Sequence, residues 1–153
     1  MEDCLVCQRI AQIRKGVNPY FVRETNTGYV VIGDQQRIRG YTVFLCKRHA
    51  TELHELESAF RDEFLHEMAL VAEAVYRAFQ PDKLNYSLLG SGNVLHMHWH
   101  IHPRRHGDTP QPGPVWQLGR ELSDPRFTPA PDELRALKAA LSDALDEVFP
   151  STV

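Results

Sequence analysis

The sequence predicts an α+β protein: an antiparallel sheet of about five strands with a long helix, a short N-terminal helix and a C-terminal extension that contains a helix. Runs of β-branched and alternating residues, bounded by turn residues, predict the strands. Apolar side chains that recur every three or four positions over residues 57–79 predict the long helix. Because the helices are segregated from antiparallel strands, the α+β class follows.

The N-terminal half is predicted to hold one helix and three strands. Residues 3–15 form the helix, which Gly16 ends. Residues 20–24 and 29–32 form a hairpin, and residues 41–46 follow a polar loop as a further strand.

The C-terminal half begins with the long helix, which Pro81 ends. A strand over residues 84–89 and a Gly-rich turn over residues 90–93 then lead to a strand of alternating histidines. Residues 103–131 are rich in Pro, Gly and Asp and are expected to cross the surface irregularly, with Trp116 available to dock on the core.

Residues 132–148 carry leucines at helical spacing and are predicted as a final helix. We find no internal repeat and no second-domain linker, and a chain of 153 residues is long enough for one real core. We therefore expect a single domain, with a core over residues 1–104 and an extension over residues 105–153 packed on it.

Composition and charge narrow the functional classes. A net charge of −3 gives no reason to expect a nucleic-acid partner, because such proteins normally show a basic excess. No run approaches the ~18 apolar residues of a membrane span, so no membrane partner is expected.

The cysteines are expected to be reduced. The acidic N-terminus lacks the basic and apolar regions of a signal peptide, which favours a cytoplasmic protein. In that reducing compartment we expect the cysteines to be free thiols or metal ligands rather than disulfides: Cys4, Cys7 and Cys46. Cys4-x-x-Cys7 alone could be a redox pair, half of a zinc site or two buried small residues.

Residues 96–102 alternate histidine with bulky apolar side chains, which is the period-2 pattern of a strand. The histidines share one face: His96, His98, His100 and His102. The apolar residues face a core on the other side: Met97, Trp99 and Ile101. Polar groups in such a row need partners or a ligand, so the pattern indicates a functional site.

An imidazole can act as a metal ligand, a general acid or base, or a nucleophile. Three alternate histidines could hold one metal ion, as in some zinc hydrolases. Alternatively the middle imidazole attacks while a neighbour orients it, and its other ring nitrogen then needs an acceptor such as a backbone carbonyl. Phosphorus suits this attack, because histidines and the amides of the Gly-rich turn can balance phosphate charge.

Two stretches resemble the signature of the histidine triad (HIT) family, in particular its bacterial members that act on diadenosine polyphosphates. Residues 94–104 resemble the motif His-x-His-x-His followed by two residues and Pro-Arg. Residues 40–49 resemble the family's upstream strand, which ends in Lys-x-His. The paired cysteines near the start resemble many bacterial members, and together the matches cover about residues 4–104.

The resemblance implies an α+β fold, a homodimer, and nucleotide hydrolysis or transfer without an organic cofactor. In this family the middle histidine attacks the α-phosphate, and water resolves the nucleotidyl-histidine. His98 is then the nucleophile, His100 positions it and contacts phosphate, and His96 supports the site. Dinucleoside polyphosphates or nucleoside phosphoramidates would be the substrates. A nucleotide-binding regulatory protein with little catalysis and a metal-dependent hydrolase that uses the histidine row are the alternatives.

The resemblance also implies substrate-binding residues. Asn85 and Asn93 would bind phosphate oxygens, beside Gly92, which stands where the family commonly has Gln. Tyr41 replaces the family's usual His, and its hydroxyl can donate to phosphate without adding charge. Asp34 lies near the position of the family's ribose-binding acid.

The zinc ligands of bacterial members resemble Cys4, Cys7, His49 and His96 here. Two Cys and two His form a closed tetrahedral set, which indicates a structural zinc that pins the N-terminal helix to the sheet. The alternative is two buried free thiols with a surface histidine.

Overall fold

The computed structural model describes residues 3–150, and within them no helix is long and apolar enough to cross a bilayer. The strands are β1 (Phe21–Glu24), β2 (Gly28–Ile32), β3 (Thr42–Cys46), β4 (Lys83–Leu88) and β5 (His98–Arg104). The α-helices are α1 (Leu5–Arg14), α2 (Ser58–Phe79) and α3 (Pro131–Val148), and short 3₁₀ helices cover Leu53–Glu55, Val115–Ser123 and Pro125–Phe127. The strands form one antiparallel sheet in the order β1-β2-β3-β5-β4. The predicted α+β class and five-stranded sheet are confirmed.

The histidine strand β5 lies inside the sheet, between β3 and β4. Val43 of β3 and Ser87 of β4 both pair with His100. Directly paired residues point to the same face of a sheet, so side chains from all three strands meet around the histidines. Pairing on both sides also fixes the register of β5.

Two helices, α2 and α3, cover one face of the sheet: α2 lies against the apolar side of β5, and α3 lies against β1 and β2. Ile101 is fully buried there, Met97 is nearly so, and Trp99 is partly buried, as the alternation predicts. The largest fully buried side chains of this core include Phe44, Phe64, Leu137, Leu141 and Leu145. Helix α3 therefore belongs to the main core although it lies in the C-terminal extension.

Helix α1 covers only part of the opposite face. Its buried side chains pack on β2 and β3: Val6, Ile10 and Ile13 against Tyr29, Val31 and Leu45. The histidines of β5 lie on this same face, where α1 leaves room for a cavity that the segment around Trp116 also lines.

Two features differ from the prediction. Strand β5 begins at His98 rather than at His96, because His96 lies in a bend, and the strand continues instead to Arg104. Trp116 does not dock on the core: it is 41% exposed, and its ring lies nearly perpendicular to the rings of His100 and His102.

Candidate active site

His98 has one ring nitrogen committed and one free. Its Nδ1 lies 2.7 Å from the main-chain oxygen of His96. Because a carbonyl oxygen only accepts, Nδ1 carries the proton in the neutral ring, and the lone pair is on Nε2. A nucleophilic imidazole needs such an acceptor, and the bend at His96 supplies it.

His100 is the neighbouring imidazole, and its ring centroid lies 4.7 Å from that of His98 at an interplanar angle of 72°. Its Nδ1 lies 2.6 Å from the hydroxyl of Tyr41. Burial, and then the nearby His98, lower the pKa of His100 to about 4, so the ring is neutral at pH 7. The Tyr41 hydroxyl, expected at the phosphate, is thus bonded to a histidine of the row.

His102 shares the face of the other histidines, as predicted, but is packed among aromatic rings. It stacks on Tyr41 with 4.3 Å between centroids and 2° between planes. Trp116 meets His100 and His102 edge-on, at centroid distances of 5.4 and 5.5 Å. Chiefly burial lowers the pKa of His102 to about 3. Its buried Nδ1 has no hydrogen-bond partner within the described part of the chain.

A cavity of about 280 Å³ opens beside the histidines of β5. Apolar side chains of α1 and β2 form much of its wall: Leu5, Val6, Val31 and Ile32. Asp34 is its acidic residue, and the Arg9 guanidinium donates two hydrogen bonds to the Asp34 carboxylate, at 2.6 and 2.5 Å. Arg9 could not be predicted at the site, because nothing in the sequence near it links a helical arginine to a loop acid 25 positions away.

A larger groove of about 790 Å³ lies over β4, and Trp116 lines both this groove and the cavity. Arg104 crosses the groove wall, donating to the Asn85 side-chain oxygen at 2.9 Å and to both carboxylate oxygens of Asp108. Because the Asn85 side-chain oxygen accepts from Arg104, the group of this side chain that can bond a ligand is its NH₂ donor.

The register of β4 decides which of its side chains lies next to the histidines. Asn85 pairs with His102, whereas Ser87 pairs with His100. The structure therefore does not bring Asn85 beside His98, and Ser87 is the β4 side chain nearest in register to the triad. Ser87 was not predicted as a site residue, although it lies two positions from Asn85 in the same strand and therefore on the same face of the sheet.

Gly92 and Asn93 lie in the exposed turn between β4 and β5, which a bridge between Ser91 and Val94 closes. Gly92 has a φ of 57°, in the left-handed region that favours glycine. Within this fully described turn, Val94 alone lines the cavity. Gly92 and Asn93 are exposed and do not line this cavity, and their contact with phosphate stays a prediction.

Cys4, Cys7, His49 and His96 form a second cluster, with their ligand atoms within 4.8 Å of one another. Nδ1 of His96 lies 3.5 Å from each sulfur, and Nδ1 of His49 lies 3.3 Å from Cys7 Sγ. A tetrahedral zinc ion with Zn–S bonds of about 2.3 Å and Zn–N bonds of about 2.0 Å separates sulfur from nitrogen by about 3.5 Å. The four side chains therefore fit a zinc ion.

Protonation in this cluster also fits a metal. His96 Nε2 donates to the Cys46 carbonyl at 2.7 Å, which leaves a lone pair on Nδ1. Burial, and then the adjoining Cys4, raise the pKa of Cys7, and a dication would offset that repulsion between thiolates. The imidazole of His96 thus belongs to this cluster, while its carbonyl serves His98.

The histidine row itself is not arranged as a metal site. Across residues 3–150, the Cys/His cluster is the only group of three or more metal-ligating side chains whose ligand atoms come within 4.8 Å of one another. No three of the histidines His98, His100 and His102 bring their ring nitrogens that close together. This geometry disfavours the metal-dependent hydrolase as an interpretation of the row.

The chain is similar to known proteins in both sequence and structure. Protein hit from Bacillus subtilis (strain 168) is 27% identical over 121 residues, which cover 76% of this chain and 80% of that protein. The structure of a histidine triad protein from Bradyrhizobium japonicum matches with 25% identity and a TM-score of 0.71, covering 82% of this chain and 89% of that one. A zinc-bound histidine triad family protein from Mycobacterium smegmatis matches with 22% identity and a TM-score of 0.58, covering 92% and 94%. The HIT domain model matches residues 16–107, more than half of the sequence, and the chain therefore belongs to the HIT domain family.

Proposed function

We propose that the protein hydrolyses or transfers nucleotides at the α-phosphate through a covalent nucleotidyl intermediate on His98. Membership in the HIT domain family suggests nucleotide binding or a hydrolase or transferase activity. One observation carries the finer proposal: the hydrogen bond from His98 Nδ1 to a main-chain oxygen leaves Nε2 unprotonated in a side chain that lines the cavity.

The proposed reaction has two displacements at one phosphorus atom. In the first, His98 Nε2 attacks the α-phosphorus, the P–N bond forms, and the bond to the leaving group breaks with its electron pair on the departing atom. In the second, water attacks, the P–N bond breaks with its electron pair returning to Nε2, and a proton of the water passes to solvent. Another nucleophile in place of water gives transfer.

The substrates we propose are dinucleoside polyphosphates or nucleoside phosphoramidates. The apolar wall of the cavity, which includes Leu5, Val6 and Val31, suits a nucleobase. The carboxylate of Asp34 keeps free lone pairs beyond its two bonds to the neighbouring guanidinium, and these can accept from ribose hydroxyls. The open groove over β4 leaves room for leaving groups of different size.

Turnover by a His98→Asn variant tests the proposed function. The assay follows product release from diadenosine tetraphosphate and from adenosine 5′-phosphoramidate, with His54→Asn as the control because His54 is exposed on a distant 3₁₀ helix. We expect His98→Asn to lose at least about 1,000-fold in kcat, because the nucleophile is gone. Equal turnover by both variants would refute the covalent mechanism, and tight binding without turnover by the unmodified protein would favour a regulatory role.

We also propose that the Cys/His cluster holds a structural zinc ion. Cys4, Cys7, His49 and His96 would fill all four positions of a tetrahedral ion, so the metal would tie α1 to the sheet and take no part in the reaction. A reducing compartment such as the cytoplasm would keep both thiols available as ligands.

A homodimer through the free edge of β4 is the assembly we propose. β4 ends the sheet, and beside it the exposed rings of Tyr76 and Tyr86 flank an apolar groove that Met68, Ala72 and Leu84 line. Antiparallel pairing of β4 with its copy would satisfy the unpaired edge and cover this groove.

A further inference from the structure

We propose that Tyr41 is a positioning residue that holds the single proton of His100 on Nε2, so that His100 offers an N–H donor to the phosphate beside His98. This inference rests on the proposed function, because the donor matters only if a phosphate binds there. It differs from the expectation that Tyr41 itself contacts phosphate.

The direction of the Tyr41–His100 hydrogen bond follows from the number of available protons. Within residues 3–150, His100 Nδ1, at 2.6 Å, is the only hydrogen-bond partner of the Tyr41 hydroxyl. If Nδ1 donated, the hydroxyl proton would have no protein acceptor within residues 3–150, so we assign the hydroxyl as the donor and Nδ1 as the acceptor. Burial, and then the charge of Asp34, raise the pKa of Tyr41 well above its ordinary value, which keeps this proton in place.

The remaining proton of His100 is then on Nε2. Burial and His98 keep the ring neutral at pH 7, so it carries one N–H only. With Nδ1 as the acceptor, this N–H is on the opposite side of the ring from Tyr41. In the other tautomer, Nε2 would direct a lone pair at the anionic phosphate, and the two would repel each other. That tautomer would also have no N–H on this side to stabilise the negative charge that develops on the phosphate oxygens during displacement.

The ring of Tyr41 is held in place by two neighbours. A Cβ at position 33 would stand 2.5 Å from Tyr41 Cε2 and 2.9 Å from Cγ, so the ring position requires Gly33. The ring of His102 stacks on Tyr41 almost in parallel. His102, which the proposed reaction does not use, therefore helps to hold the Tyr41 hydroxyl in the position where it bonds His100.

Nitrogen NMR of the protein labelled with ¹⁵N-histidine tests the assignment directly, with a His100→Gln spectrum to identify the signals. We expect His100 at pH 7 to show a protonated Nε2 and an unprotonated, hydrogen-bonded Nδ1. In Tyr41→Phe, which removes only the oxygen, the Nδ1 signal should move toward that of a free ring nitrogen. Tyr29→Phe is the matched control, because Tyr29 is a buried tyrosine on the same face of the sheet whose hydroxyl bonds Arg14 instead.

Kinetics of the same variants test the consequence. In Tyr41→Phe the His100 Nε2–H is no longer held toward the phosphate. We expect kcat to fall about tenfold and KM to change less than about twofold, since this donor acts most in the transition state. Tyr29→Phe should match the unmodified protein. Gly33→Ala should perturb the His100 signals as Tyr41→Phe does.

The outcomes separate this inference from the proposed function. A proton on Nδ1 of His100, or His100 signals that do not respond to Tyr41→Phe, would overturn the inference. The expected spectra from a protein that turns over no nucleotide would refute the proposed function and leave the tautomer assignment standing.

Discussion

At the scale of single residues, His96 serves two sites with two different groups. Its main-chain oxygen accepts from His98 Nδ1, and its imidazole faces Cys4 and Cys7. Because of this bend, β5 begins at His98, two residues later than strict alternation predicts. The reactivity proposed for His98 thus depends on backbone conformation at position 96 more than on the imidazole there.

The two buried histidines His100 and His102 should make the stability of the protein depend on pH. Their pKa values of about 4 and about 3 lie below the 6.5 of an unfolded chain, so the unfolded state binds more protons as the pH falls below 6.5. The free energy of unfolding should therefore decrease through this window and level off below the folded pKa values. At pH 5 the expected loss is about 2 kcal/mol for each histidine.

Denaturant unfolding at pH 7 and pH 5 measures this loss, and His102→Phe provides the comparison. Phenylalanine keeps a ring to stack on Tyr41 but cannot be protonated. The variant should lose about 2 kcal/mol less than the unmodified protein between the two pH values. An equal loss in both proteins would show that His102 does not contribute.

Much of the site could be predicted at this scale, because alternation fixes which histidines share a face. The need of His98 for a carbonyl acceptor followed from imidazole chemistry alone. The neighbours of the row could not be predicted in the same way: whether Asn85 or Ser87 lies beside His100 depends on the register of β4, and the place of Trp116 depends on how an irregular segment folds back.

At the scale of elements, two sets of polar side chains beside the cavity attach α1 to its surroundings, in addition to its apolar packing on β2 and β3. Arg9 pairs with Asp34 after β2, and Cys4 and Cys7 face His96 just before β5. The same helix supplies apolar side chains to the cavity wall. Loss of either attachment should therefore affect both the order of α1 and the cavity.

Cys7→Ser tests the metal attachment. Because a structural zinc ion needs its thiolates, we expect bound zinc to fall from about one ion per chain to near zero, and amide exchange in α1 to become faster. Elemental analysis and hydrogen exchange measure the two effects. Cys46→Ala, which removes a buried cysteine outside the cluster, should retain the metal. Full zinc content in Cys7→Ser would argue against this site.

The helices and strands themselves followed well from periodicity, and most observed ends lie within two residues of the predicted ones. The long helix was predicted from residue 57 and begins at Ser58. The start of β5 could not be predicted from the pattern, because the imidazole of His96 contacts Cys7 of α1 and the Cys46 carbonyl, which are distant in sequence.

At the scale of the whole molecule, the C-terminal extension contributes to both the core and the site. Helix α3 has three fully buried leucines in the main core, which it shares with α2: Leu137, Leu141 and Leu145. The segment before α3 brings Trp116 to the histidine rings. The amphipathic pattern predicted that α3 has an apolar face. The pattern of a single helix does not predict which surface that face will cover.

The proposed homodimer is tested by the mass of the protein in solution. We expect light scattering to give twice the 17.5 kDa of one chain, and Tyr86→Glu to give a monomer, because it places a carboxylate in the interface on each copy. Val17→Glu alters an exposed apolar side chain that follows α1, outside the sheet, and should remain a dimer. A single-chain mass for the unmodified protein would contradict the assembly.

Intact mass of the protein during reaction tests the role of His98 most directly. The protein is mixed with diadenosine tetraphosphate, denatured rapidly at neutral pH so that a P–N bond survives, and then mapped by peptide mass. The proposed mechanism predicts a transient adduct of one adenylyl group on His98, absent from His98→Asn. Turnover without any adduct, or an adduct on another residue, would contradict it.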